Sequence, residues 1–134
     1  MDGAFWVRAS SFAELVKAVA EEVCHRVIAP ATVRPGGVRD RVQANASTPE
    51  ELLCQWLQHY LFLVQDQNMI FCRFHWRTLS LTHIDAEAEG ELQDPLRHDL
   101  MGPWRGVKLL NPQLQTAADR WEAHLQFTEK QNPL

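Results

Sequence analysis

From Phe12 onward the apolar side chains recur at helical spacing: Phe12, Leu15, Val16, Val19, Ala20, Val23, Val27 and Ile28. Glu14, Lys17, Glu21, Glu22 and Arg26 fall largely elsewhere around the cylinder. The stretch SFAE at 11–14 fits a capping box, with Ser11 accepting from the backbone and Glu14 reaching back. Together they predict an amphipathic helix of about four turns that ends before Pro30. Ahead of it, AFWVRAS at 4–10 mixes aromatic and β-branched residues and reads as a short strand. Behind it, the prolines and glycines of 29–40 predict a loop, and VRDRVQANA then alternates like an exposed strand.

A second helix begins at TPEE, with Thr48 as cap, Pro49 at the first helical position and Glu51 at the third. Its body carries Leu52, Leu53, Trp56, Leu57, Tyr60, Leu61, Phe62, Leu63 and Val64. That is too much apolar surface for one face, so the helix is expected between two layers. Beyond it, Ile70, Cys72, Phe74 and Trp76 alternate with Phe71, Arg73, His75 and Arg77 as a half-buried strand. A register change near Thr78 leads to a strand with Ile84, Ala86 and Ala88 on one face and Asp85, Glu87 and Glu89 on the other. WRGVKLL reads as a strand, and Trp121, Ala123, Leu125 and Phe127 alternate with polar residues in a last one. The order is strand, helix, strand, helix, then four strands. It gives an α+β fold, two helices packed between two mostly antiparallel β-layers, in a single domain over 1–134 whose tail, 129–134, frays.

Length and composition agree with that picture. A chain of 134 residues with 46% hydrophobic and 22% charged residues can bury a core without a disulfide or structural metal. A net charge of -4 gives no global pull toward nucleic acid. There is no apolar run of membrane-spanning length, and no exporting leader is expected. Three cysteines without framework spacing fit a reducing compartment, so the chain is expected in the cytoplasm and the Asn45 sequon is a chance match.

Candidate chemistry concentrates in a few places. Cys72 and His75 stand at C-x-x-H spacing, but on a strand that spacing sends them to opposite faces, which argues against zinc. Arg73, His75 and Arg77 beside an exposed Phe71 form a stripe that can contact RNA, or a solvated face balanced by Asp85, Glu87 and Glu89. The segment GELQDPLRHDLMGPWRGVKLL, 90–110, gathers the most polar chemistry. Its Glu91, Asp94 and His98 offer an acid–base set; equally, Asp94-Pro95 starts a turn and His98 ties the loop down. No phosphate-binding loop or nucleophile elbow is present, and nothing supplies the nucleophile that a hydrolase built on these three would need.

Several pieces match one family in register. TPEELLCQWLQHYLFLVQDQNMIFCRF resembles the leucine-rich helix and following strand of the archeases. GELQDPLRHDL resembles their G-E-x-x-D-P-x-x-H loop, GVKLL their E-V-K-A-V strand, and FWVRASSFAELVKAVAEEVCHRV their opening strand and first helix. The resemblance runs from about Phe5 to Phe127. It implies helices between two sheets, and a non-enzymatic role as protein cofactor of the GTP-dependent RNA-splicing (tRNA) ligase, promoting its guanylylation and turnover. It also implies a lysine on the activating surface, here Lys108, with Glu91, Asp94 and His98 of the signature loop as the other partner-binding positions.

The acidic metal ligands of the family are not carried over. The last aspartate of its D-H-T-A-D opening falls on Ala4, a loop carboxylate on Arg34 and the C-terminal aspartate on Thr128. No metal and no other cofactor is therefore expected unless Asp2 or Glu129 substitutes. The alternative is a divergent, metal-free module binding another protein or RNA.

Overall fold

The computed structural model describes residues 3–27, 32–94, 96, 98, 107–110, 112–117 and 119–129, with side chains left out at 107–109 and 129. The described elements run β1 (Gly3–Ala9), α1 (Phe12–Val27), β2 (Val38–Asn45), α2 (Pro49–Gln65), β3 (Met69–Leu79) and β4 (His83–Leu92), then β5 (Val107–Leu109), β6 (Gln113–Ala117) and β7 (Arg120–Glu129). All strand pairs are antiparallel. One sheet has β7 at its centre, with β1 on one side and β5 and β6 sharing the other; the second has the order β2-β4-β3.

The helix starts follow the caps read from sequence. The Ser11 hydroxyl accepts from the Glu14 amide at 3.1 Å, and the Thr48 hydroxyl from the Glu51 amide at 3.2 Å. Each hydroxyl satisfies an amide that the first helical turn leaves without a partner. The Glu14 carboxylate turns outward to Lys17, 3.9 Å away, so the capping interaction seen is the serine half of the box.

Both helices touch both sheets: α1 packs on β1 and β7 and on β3, while α2 packs on β2, β3 and β4 and on β5 and β6. The α+β arrangement expected from sequence is the one found. Around α2, Leu52, Leu53, Trp56, Leu57, Tyr60, Leu61, Leu63 and Val64 are buried. The most solvent-exposed stripe is Glu51, Gln55, Gln58 and Phe62, with Glu50 exposed in the first turn, so Phe62 departs from the all-round burial expected of this helix. Trp56 anchors the layer, with ring contacts to Tyr60, Phe74 and Trp76 and its indole N–H donated to the Val42 carbonyl at 3.0 Å. Beside it, the Cys24 thiol lies 3.2 Å from the Tyr60 hydroxyl. Burial pushes Cys24 up to about 12 and Tyr60 well above its usual range, so both stay neutral in the core.

Four local readings are revised. Phe71 is buried, not exposed, because a bulge between Phe71 and Arg73 shifts the phase of β3 and turns Ile70 and Phe71 both inward. β2 is less exposed than its alternation suggests: Val42 and Ala44 face the core. β6 was absent from the expected order. Glu129 still belongs to β7, and residues 130–134 lie outside the described residues. The register change near Thr78 is found, between Trp76 and Thr78. Among the described residues no helix is long and apolar enough to cross a membrane.

On the outer face of the β2-β4-β3 sheet, the β4 carboxylates stand between two basic rows. Arg41 binds Asp85 through two nitrogens at 2.9 and 2.6 Å; Arg39 and Arg77 reach Glu87 at 2.9 and 3.3 Å; His75 meets Glu89 at 2.8 Å. The hydrogen bond from Arg41 holds Asp85 below the usual carboxylate range, and that from His75 does the same for Glu89. The stripe of Arg73, His75 and Arg77 is thus a charge-balanced face. With Phe71 turned inward, the phenyl ring expected beside the stripe is not on this face.

Candidate functional site

The segment after β4 folds into a closed clasp. The Asp94 carboxylate accepts from the Leu96 amide at 3.0 Å, an Asx turn, and the His98 amide donates to the Asp94 carbonyl at 2.7 Å. The Asp94 amide in turn donates to His98 Nδ1 at 2.8 Å. Because Nδ1 accepts, the neutral ring carries its proton on Nε2. That nitrogen is buried without a well-aligned acceptor among the described residues; Glu91 Oε2 stands 3.3 Å away. The same Oε2 accepts from the Arg34 backbone amide at 2.5 Å.

Glu91 therefore joins three pieces of chain: the end of β4, the 32–37 turn and the His98 loop. The sequence places Glu91, Asp94 and His98 in one loop, and the structure brings them into one hydrogen-bonded unit. Its His98 side chain is fully enclosed, at 0% exposure, so the ring shapes the loop from behind and does not form its outer surface. The Arg34 amide is a member that sequence reasoning missed. Its one signal is that Arg34 precedes Pro35, which extends the backbone and leaves the N–H for a distant acceptor. Pro95 and residues 99–106 lie outside the described residues.

Lys108 stands on β5, in the other sheet, with its backbone opposite Thr128 of β7. Its side chain lies outside what is described. Ala4 and Thr128 line one open depression of about 470 Å³ together with Gly3, Leu110, Gln126 and Phe127. Arg34 does not line it; its amide is spent on Glu91.

The Archease protein family model (MTH1598/TM1083) matches residues 1–127. The chain belongs to the archease family. Its fold is also that of the solution structure of protein 1598 from Methanobacterium thermoautotrophicum, with a TM-score of 0.66 at 14% identity over 93% of this chain and 90% of that one. No curated protein matches the chain.

The loop that resembles the archease motif folds here as the clasp, while Ala4, Arg34 and Thr128 stand at the positions where the resemblance implies acidic residues. Among the described residues no three histidine, cysteine, aspartate or glutamate side chains come together to hold a metal. The Ala4 side chain has no donor atom and that of Thr128 offers only a hydroxyl, whereas hard cations need several oxygens, usually with carboxylates among them. The described residues do not fit a resident divalent ion. Asp2 and the Glu129 side chain are outside the described set. Titration calorimetry with Ca²⁺, Mg²⁺ or Mn²⁺ is expected to show no site of micromolar affinity; such a site, lost in Asp2→Ala or Glu129→Ala, would mean that the site had shifted along the chain.

Proposed function

We propose that this chain is an accessory protein that promotes guanylylation and turnover of a GTP-dependent RNA-splicing ligase, and is not itself an enzyme. The observation that carries the reading is the family match along residues 1–127, with the signature loop present as a folded clasp around Glu91, Asp94 and His98. In this reading the clasp fixes the loop's shape for the ligase surface. Lys108 contributes a compact positive charge near the transferring phosphates, where it offsets charge as the nucleotidyl group moves. The protein acts in the cytoplasm.

A second reading follows from Ala4, Arg34 and Thr128: an archease-like module that has shed the metal and binds another protein or RNA. Guanylylation of the cognate ligase, measured with and without the chain, separates the two. Stimulation at substoichiometric amounts is expected. Lys108→Ala should reduce it with little change in melting temperature, and Lys108→Arg should restore it only in part. No stimulation with divalent metal supplied would favour the second reading. Stimulation indifferent to Lys108→Ala would leave the role standing and remove the lysine from it.

A further inference from the structure

Among the described residues β1 has β7 on one side and no strand on the other. The remaining outer strands carry the usual guards against pairing with another chain. β2 presents Arg39, Asp40 and Arg41; β3 presents Arg73 and Arg77 and is bulged twice; β5 and β6 are only three and five residues long. β1 has none of these. Its seven residues, GAFWVRA, hold no proline, lysine or acid, and their pairing with β7 runs without a bulge from Gly3 to Ala9. A groove of about 420 Å³ follows this strand and touches Phe5, Trp6, Val7 and Arg8 in succession. Successive residues point to opposite faces of a sheet, so a depression that meets all four lies along the edge and not on either face. Its other wall is α1, from Ala18 to Arg26, and Val7 and Ala18 are only partly buried beside it.

We infer that this edge is a homodimer interface, in which β1 pairs antiparallel with β1 of a second copy about a two-fold axis at Trp6. The strand is complementary to itself in that register. Trp6 stands opposite Trp6, so its stack on His124, with centroids 4.2 Å apart, extends into a row of four rings. Arg8 is the only charge on the strand and is already held by Glu122 at 3.1 Å; it stands opposite Ala4. On the inner face Phe5 stands opposite Val7, apolar against apolar. The helix supplies the second match. The Arg26 guanidinium lies 4.3 Å from the Phe5 ring centroid, so α1 runs back along β1. One residue of strand, about 3.3 Å, equals about two residues of helix, which puts Trp6 level with residues 23–24. The same axis therefore sets two copies of α1 antiparallel, with Glu21 and Glu22 of each beside His25 and Arg26 of the other. Within one chain Glu22 holds Arg26 at 3.0 Å, while Glu21 has no ion-pair partner among the described residues and gains one across the axis. A foreign strand would satisfy the edge alone; a second copy satisfies strand and helix about one axis. The dimer goes beyond the ligase role and does not rest on it.

The test is sedimentation velocity of the full chain from about 2 to about 200 µM. A monomer–dimer equilibrium is expected, with a Kd of about 1–100 µM, the range of a small and partly polar interface. Trp6→Lys sets two ammonium groups against each other at the axis and should weaken association about tenfold or more. Glu21→Lys, on the exposed face of α1, should weaken it about 3- to 10-fold, and it reads the same interface where the first variant fails to fold. Hydrogen exchange locates the contact: residues 3–9 should exchange more slowly at the higher concentration, and residues 38–45 of β2 should not. A parent that stays monomeric at about 200 µM overturns the inference, as does a dimer that a folded Trp6→Lys, or failing that Glu21→Lys, leaves as strong. Protection at β2 instead of β1 would also overturn it. So would a monomeric parent whose folded Trp6→Lys variant no longer stimulates the ligase, which would give the edge to the ligase.

Discussion

Trp56→Ala is expected to lower the unfolding free energy by about 3–5 kcal/mol, a large part of the roughly 5–15 kcal/mol that a domain of this size possesses. Two losses add. The indole is fully buried among Tyr60, Phe74 and Trp76, between helix and sheet, where the surroundings can collapse only partly into the space. The Val42 carbonyl also loses the indole N–H that it accepts from at 3.0 Å. A buried acceptor left without a donor costs about 1–3 kcal/mol. Trp56→Phe separates the two, because it keeps most of the ring packing and removes only the donor; about half the effect or less should remain. Urea unfolding at neutral pH measures both. An alanine variant within about 1 kcal/mol of the parent would mean that the aromatic layer is not the anchor described.

The second large effect concerns Gly90, between β2 and β3. A Cβ built there would lie 1.9 Å from the Ile70 carbonyl oxygen and 2.7 Å from Phe71 Cα. Both are backbone atoms, so no side chain can swing aside, and the strands must part at the bulge. Gly90→Ala is expected to cost about 3 kcal/mol or more, a fall of about 10 °C in melting temperature. Since Glu91 is the next residue, the separation also pulls its carboxylate from the Arg34 amide and the His98 ring. Gly37→Ala is the control. Its Cβ would meet the Gly90 oxygen at 3.1 Å and Glu91 Cβ at 3.2 Å, which a small adjustment relieves. Equal losses in the two variants would contradict the close approach of β4 to β3.

How much of this was legible in the sequence depends on whether local chemistry or tertiary context decides each residue. The helices were, because Ser11, Thr48 and Pro49 act within one turn and the apolar spacing needs no knowledge of the partner. The face of β4 was, since Asp85, Glu87 and Glu89 cannot share the side of Ile84, Ala86 and Ala88. Phe71 was misplaced because a bulge changes the phase of a strand without changing its composition. β6 was missed because Gln113–Ala117 carries one large apolar residue, Leu114, and is held largely from outside: it pairs with β7, and the Leu114 amide donates to Glu50 at 2.9 Å. The three clasp residues were found through the motif, yet the enclosure of His98 was not, since a histidine's burial depends on what closes over it. Trp6 did leave a trace: on an alternating strand it must leave the core together with Arg8.

The charged face of the β2-β4-β3 sheet also bears on how the strands find one another. Its rows repeat every two residues, acidic along β4 and basic along β2 and β3. A slip of β4 by one residue would drive three carboxylates into the helix layer and is forbidden. A slip by two would still leave carboxylates opposite Arg39 or Arg41, with Ala86 and Ala88 still inward. The charges thus choose a face but are nearly blind to sliding. Gly90 breaks that degeneracy, because in the shifted alignments Ala88 or Leu92 would have to occupy the place where a Cβ meets the Ile70 carbonyl. The glycine acts as the index mark of the sheet, and the ion pairs tighten an alignment that it has already selected.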